Sequence, residues 1–342
     1  HDSGKNVRSV AAFPAGGIQK LATASRDQTI RVWDVSSGKQ VGHALTGHSG
    51  DVLSVAVFPD GEKLVSGGED KTLRIWNVNT GQLLGRALEG HTSYVNSVAV
   101  FPGGDKLASG GNDRTVRIWN VSTGQQVGAA LEGHKDFVYC VAVFPAGDKL
   151  ASGSRDSTVR IWDVSAGQQL GAALQGHSRA VNSVAVFPAG EKLVTGSSDK
   201  TLRVWEASTG QQVGPAFEGH GSFVRSVAVF PAGDKLVSGA QDGTVRIWDV
   251  STGKQLLQQR LGPTSANTWV LGVAIFFETA LPLAQENDTK KELLLATATG
   301  GEHADAERAL KLWQVVPEDA RKATLLQRLQ GAGGAAGVLW PH

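Results

Sequence analysis

Three residue types that together can run acyl transfer recur along this chain: His48 with Ser66 and Asp70, His91 with Ser109 and Asp113, His134 with Ser152 and Asp156. His177, Thr195 and Asp199, then His220, Ser238 and Asp242, repeat the order. A histidine base, a hydroxyl nucleophile and an orienting carboxylate would make a hydrolase if the hydroxyl were free beside an oxyanion hole. A tryptophan stands in the same register of every set, at Trp76, Trp119, Trp162, Trp205 and Trp248. Indole N–H can only donate, a hydroxyl can accept it and donate onward to imidazole, and the second imidazole N–H can end on a carboxylate. Equivalent copies with the hydroxyl so engaged, and no G-x-S-x-G elbow, are poor nucleophiles and good cross-links. The single cysteine, Cys140, takes the place that Ser54, Ser97, Ser183 and Ser226 hold in the other copies, so it reads as a small packing residue.

An internal repeat sets these positions. Gly-His pairs end at His48, His91, His134, His177 and His220, each 43 residues after the last, and Trp33 opens the tryptophan series at the same period. Trp313 follows Trp248 by 65 residues and counts as the mark of a seventh, interrupted unit. Self-similarity at such a period indicates one supersecondary unit repeated. Residues 47–89 read as four short strands: VLSVAVF ended by the PDGEK turn, KLVSG, TLRIWNV after the tight turn GEDK, and QLLGRAL after NTG. β-branched residues with period-two alternation between Gly, Pro and Asp turns are strand signals. The expectation is an all-β fold, a seven-bladed β-propeller of four-stranded antiparallel blades. It takes residues 1–330, with blade seven interrupted by insertions near 277–294 and 300–308, and leaves 331–342 as a C-terminal tail like a truncated further repeat. Unit one lacks a Gly-His in register and Pro263 stands where a seventh His belongs, so weaker cross-links are expected at the ring's seam.

The stretches GH, LASGSRD and TVRIWD resemble the Trp-Asp repeat (WD-repeat) β-propeller family, over essentially the whole chain. Trp-Asp itself survives at Trp33-Asp34, Trp162-Asp163 and Trp248-Asp249, with Asn77, Asn120, Glu206 and Gln314 elsewhere. The resemblance implies that each Trp, hydroxyl, His and Asp set is one hydrogen-bonded network tying the outer strands of a blade to its loops.

Composition narrows the function. With 33 basic and 32 acidic residues the net charge is +1, which gives no electrostatic case for nucleic acid or a membrane surface. The longest apolar run, Trp269 to Phe277, has nine residues, less than half of a membrane span. One cysteine and no secretory signal pattern suit a reducing, cytoplasmic setting. The absence of methionine reads as a piece excised from a longer protein. No cofactor or metal is expected, since His303, Asp305 and Glu307 lack ligand spacing.

Comparing the units with one another locates the candidate site. The FPAGDK and STGQQ turns barely vary, whereas the loops after Gly-His and before the turn aspartate differ from unit to unit. The third and fifth residues after each His begin an inner strand and should line the mouth of a central channel. They include Tyr94 and Asn96, Phe137 and Tyr139, Asn182, and Phe223 with Arg225. Units one and seven contribute Arg8 and Trp269, and the residue before the turn aspartate adds Arg26, Asn112, Arg155 and Gln241. Both tyrosines of the protein fall in these slots. Aromatic, Arg and Asn side chains round a rim are the composition of an interface core.

The reading is a non-catalytic scaffold binding a protein or peptide on the variable face, with an acidic or phosphorylated peptide suiting the arginines. The propeller is expected to be monomeric, without nucleic acid or membrane. A second reading makes it the ligand-sensing module of a larger signalling protein. A third, an enzyme at the channel mouth, has only Asp51 and Glu69 as acids there.

Overall fold

The computed structural model describes residues 7–14, 19–261, 269–277, 293–300, 311–318 and 322–327; beyond Leu261 only the side chains of 270–273 are described. The first blade is β1 (Val7–Ala12), β2 (Lys20–Ser25), β3 (Thr29–Asp34) and β4 (Gln40–Thr46), each antiparallel to the next. The second and third blades are β5 (Val52–Val57), β6 (Lys63–Gly68) and β7 (Leu73–Asn77), then β8 (Val95–Val100), β9 (Lys106–Gly111) and β10 (Val116–Asn120). The fourth is β11 (Val138–Val143), β12 (Lys149–Ser154), β13 (Val159–Asp163) and β14 (Gln168–Leu174). The fifth is β15 (Val181–Val186), β16 (Lys192–Ser197), β17 (Leu202–Glu206) and β18 (Gln212–Phe217). The sixth is β19 (Val224–Val229), β20 (Lys235–Ala240), β21 (Thr244–Asp249) and β22 (Gln255–Arg260). A last sheet is β23 (Trp269–Phe277), β24 (Leu293–Gly300), β25 (Lys311–Glu318) and β26 (Lys322–Gln327).

The innermost strands β1, β5, β8, β11, β15 and β19 pack side by side in chain order, and β23 stands between β19 and β1. A blade therefore has both faces covered by neighbours. That is why second strands such as Lys149–Ser154 are buried along five of their six residues, as a sheet packed on both sides must be. The core is accordingly a series of seams rather than one centre. Val116, Ile118 and Leu131 of the third blade meet Val138, Leu150 and Trp162 of the fourth, and equivalent clusters fill the other joints. Approach is close: a Cβ on Gly153 would lie 2.6 Å from Cys140 Sγ in its own blade and 2.6 Å from Val181 Cγ1 of the next.

Hydrogen bonds cross the same seams. Val98 N donates to Ser54 Oγ at 3.1 Å, and Val141 to Ser97, Val227 to Ser183 and Val273 to Ser226 at the same distance. Val55 N donates to Ser9 Oγ at 3.3 Å. The serine position is thus a joint between blades as well as a small packing site. At the fourth joint Cys140 replaces it, buried, its thiol pushed up to about 12 by burial, and its sulfur lies 3.9 Å from Val181 O.

The expectation of a seven-bladed propeller of four-stranded blades is corrected: the propeller has six repeat blades, not seven, of three or four strands. Six blades carry the 43-residue repeat, and two of the six hold three strands. In those two, the outermost segments make only isolated bridges, Leu73 to Leu88 and Trp76 to Leu83, then Val116 to Leu131 and Trp119 to Gln126. Gly85 (φ +75°) and Gly128 (φ +69°) bulge these segments, as Gly42, Gly171 and Gly214 do in blades that keep four strands. The sheet β23–β26 is not a further copy: its Trp313 comes 65 residues after Trp248, and Pro263 replaces the His.

Outer edges carry a repeated device. Arg117 Nη1 donates to Gln126 Oε1 at 2.6 Å, and Gln126 Nε2 donates to Gly128 O at 2.9 Å, tying the bulged carbonyl down. Arg160 with Gln169, Arg203 with Gln212 and Arg246 with Gln255 make the same pair. In the second blade Leu83 occupies the glutamine's place, so Arg74 lacks that acceptor and keeps a long ion pair to Asp70, 3.8 Å.

Candidate functional site

The Ser-His-Asp sets come first because they would be the catalytic centres if any existed. His134 Nδ1 lies 2.9 Å from Asp156 Oδ2, His134 Nε2 lies 2.7 Å from Ser152 Oγ, and Trp162 Nε1 donates to the same Oγ at 2.8 Å. Since the indole only donates and an ionised carboxylate only accepts, the chain of bonds runs Trp to Ser to His to Asp. His48, Ser66, Asp70 and Trp76 repeat it, as do His91, Ser109, Asp113 and Trp119. So do His177, Thr195, Asp199 and Trp205, and His220, Ser238, Asp242 and Trp248. The hydroxyls are fully buried, at 0% exposure, so no substrate reaches them.

The aspartate is the hub. Asp156 also accepts from Lys135 N at 2.8 Å and, through Oδ1, from Thr158 N and Oγ1 at 2.9 and 2.6 Å. Burial pushes these carboxyls up, yet the donated bonds outweigh it: Asp70 and Asp113 are lowered to about 2, and Asp156, Asp199 and Asp242 are lowered too. Two contributors went unread in the sequence. Thr72, Thr115, Thr158, Thr201 and Thr244 stand two residues after each aspartate, a constancy that was available as a signal. Between them, Lys71, Arg114, Ser157 and Lys200 take positive φ, a conformation the turn demands.

At the channel mouth the geometry comes from a bulge. Each inner strand skips one residue in pairing: Val138 opposes Ser154 and Cys140 opposes Gly153, leaving Tyr139 unpaired. Arg8, Leu53, Asn96, Asn182, Arg225 and Leu271 are the skipped residues of the other inner strands. A bulge re-aims its side chain, and here it sets the fifth residue after His apart from the sheet in every strand.

These residues then divide. Asn96 Nδ2 donates to Asn112 Oδ1 at 2.7 Å and to Val138 O at 2.8 Å. Asn182 Nδ2 donates to Ser198 Oγ at 3.0 Å and to Val224 O at 2.7 Å. Both asparagines are clips to the next blade. Arg155 lies over the Phe137 ring, 5.4 Å to its centroid, and 3.7 Å from Asp136. Arg225 lies over Phe223 at 5.4 Å and donates to Gln241 Oε1 at 3.1 Å. Arg26 does not stand free: its Nε donates to Asp51 Oδ2 at 2.8 Å. Tyr94 is 41% exposed and outside these pairs, which leaves its ring open to solvent. The side chain of Trp269 lies outside the described residues, as do the 278–292 insertion, residues 301–310 and the 331–342 tail.

Among the acids at the mouth, Asp51 is held by Arg26. Glu69 is raised, by burial first and by Asp51 next. Among the described residues no group of three His, Cys, Asp or Glu side chains is placed to hold a metal. No helix among them is long and apolar enough to cross a membrane.

A family model described as WD domain, G-beta repeat matches residues 1–34, 38–77, 81–120, 125–163, 168–206 and 211–249. Its six matches agree with the six repeating blades, and none falls on β23–β26. No curated protein matches the chain.

Proposed function

The chain belongs to the WD40 repeat family, whose propellers commonly serve as protein-interaction scaffolds, and from that premise we propose that it recognises a protein or peptide at the channel mouth. The binding face is the one carrying the Gly-His loops and the turns before Asp70, Asp113, Asp156, Asp199 and Asp242. One observation carries the reading. Framework positions repeat from blade to blade, whereas Phe137, Tyr139, Phe223, Arg225 and the exposed Tyr94 differ from their counterparts and share one rim. Aromatic rings braced by guanidinium groups are rigid, amphipathic anchors of the kind that dominate interface energetics. An acidic or phosphorylated segment fits the arginines, and the cytoplasm fits the single reduced cysteine.

The test is photo-crosslinking. A photoreactive phenylalanine analogue is placed at Phe137 in one protein and at Pro102, on the constant face, in another. Peptides selected from a random library on the wild-type chain should crosslink at position 137 and not at 102. Crosslinking confined to position 102 would overturn the assignment of the face.

A further inference from the structure

The asparagine clip between the third and fourth blades leaves two polar atoms unspent. Asn96 Nδ2 donates to Val138 O at 2.8 Å and to Asn112 Oδ1 at 2.7 Å. A backbone carbonyl only accepts, so the amide nitrogen must face Val138, and both of its hydrogens are then used. The side-chain oxygen of Asn96 and the side-chain nitrogen of Asn112 have no partner among the described residues. Neither is one of the buried unpartnered side-chain atoms, so both reach solvent. The pair holds out one acceptor and one donor, each oriented by the bonds behind it.

The other repeat blades lack this pair. In the fifth, Asn182 Nδ2 donates to Val224 O at 2.7 Å and to Ser198 Oγ at 3.0 Å, and the Ser198 hydroxyl turns back to Asn182 Oδ1 at 3.4 Å. That clip closes on itself, and its serine has no amide donor to offer. Elsewhere the two positions hold Arg8 and Arg26, Leu53 and Glu69, Tyr139 and Arg155, and Arg225 and Gln241.

Hydrogen bonds also place the pair among the rings of the rim. Asn112 N donates to Tyr94 O at 2.9 Å, and Tyr94 is 41% exposed. The carbonyl that anchors Asn96 belongs to Val138, the residue between Phe137 and Tyr139. Arg155 N donates to Phe137 O at 2.9 Å, and its guanidinium lies over the Phe137 ring, 5.4 Å from the centroid. Asp136 stands 3.7 Å from Arg155, so the charges of this loop answer one another.

We infer that Asn96 and Asn112 form a subsite for an uncharged amide of a bound segment, with Tyr94 on the third-blade side and Phe137 on the fourth-blade side. A carboxylate brings no donor for Asn96 Oδ1, and an ammonium brings no acceptor for Asn112 Nδ2; an amide brings both. The side-chain carboxamide of Asn or Gln and the backbone peptide group share that chemistry. This rests on the rim being the recognition face and names one contact of the partner there. An acidic residue of the same segment is left to the arginines.

The experiment uses the full chain and peptides selected on it from a random library. Asn112→Ser copies the fifth blade: the hydroxyl still accepts from Asn96, and the outward donor is lost. Asn112→Asp also keeps the accepting oxygen and turns the donor into a second oxygen. Both should unfold at the wild-type temperature and bind a selected peptide about tenfold more weakly, as for a hydrogen-bonding group left without its partner. Unchanged affinity in both, with or without a lower unfolding temperature, makes the pair a clip only and overturns the subsite.

Peptide variants then separate the two sources of the amide. Each peptide Asn or Gln is replaced by Ala, and each backbone carbonyl in turn by a thiocarbonyl, a poor acceptor. One of these changes should weaken binding to the wild type by as much and cost nothing further on Asn112→Ser, the mark of a direct contact. Losses that simply add at every position overturn the subsite. Loss with Phe137→Ala but indifference to both Asn112 variants retains the face and overturns the subsite. Loss with the Asn112 variants but indifference to Phe137→Ala retains the subsite and overturns the aromatic anchor.

Discussion

The amide of Val98 donates a 3.1 Å hydrogen bond to Ser54 Oγ of the preceding blade, and this bond recurs at the joints on either side of the one where Cys140 replaces the serine. A thiol is a weak acceptor, so the fourth joint lacks a contact its neighbours have. Cys140→Ser should therefore stabilise the chain by about 0.5–1.5 kcal/mol, the net value of one such bond. Ser97→Ala should destabilise it by a similar amount. Urea unfolding of both variants is the check, and a loss of stability in Cys140→Ser would mean that sulfur packing outweighs the missing bond.

The tetrads make a pH prediction. Asp70 and Asp113 are held at about 2 in the folded chain, below an ordinary carboxylate of about 3.9. A folded value below the unfolded one gives stability that is complete above the unfolded value and is lost as pH falls toward the folded one. Stability should fall steeply between about pH 5 and pH 2. In Asp70→Asn the total should be lower near neutrality and the acid slope shallower. Asp156→Asn, which weakens the hub at 2.9 Å from His134, should cost about 1–3 kcal/mol. Denaturant midpoints across pH decide both.

Leu83 is the exception among the edge glutamines. Leu83→Gln would give Arg74 the acceptor that Arg117 has in Gln126, and would supply a donor for the carbonyl of Gly85. Leu83, however, packs against the buried cluster at the seam with the first blade, to which Leu45 and Trp76 belong. The new hydrogen bond should offset most of the lost apolar burial, leaving a net change within about 1 kcal/mol. Slower amide exchange at residues 82–88 would report the restored edge. Unchanged exchange would show that the clamp does not order the strand.

Much of this architecture was legible because a repeat checks itself. His134, Ser152, Asp156 and Trp162 mean little alone, but five sets in register fix strand order, turns and the hydroxyl's engagement. The bulge at Tyr139 was not legible, since a skipped residue leaves the apolar alternation nearly intact. The serine joint escaped for a related reason: Ser54 looks like a small filler until a neighbouring blade's amide is placed against it. Counting Trp313 as a seventh mark failed because a spacing of 65 was absorbed as insertions. The rim's division into asparagine clips and arginine–aromatic pairs depends on partners from other blades. Asn96 reaches Val138 O, 42 residues on, and no local pattern announces that.

The central claim is that the rim around Phe137 and Tyr139 is the recognition surface. The most direct measurement is the affinity of a library-selected peptide for the wild type and for Phe137→Ala/Tyr139→Ala, with matched thermal unfolding profiles. The account predicts a loss of about 2 kcal/mol or more, some thirtyfold in Kd, as for removal of interface anchors. Equal affinity in the two folded proteins would contradict it.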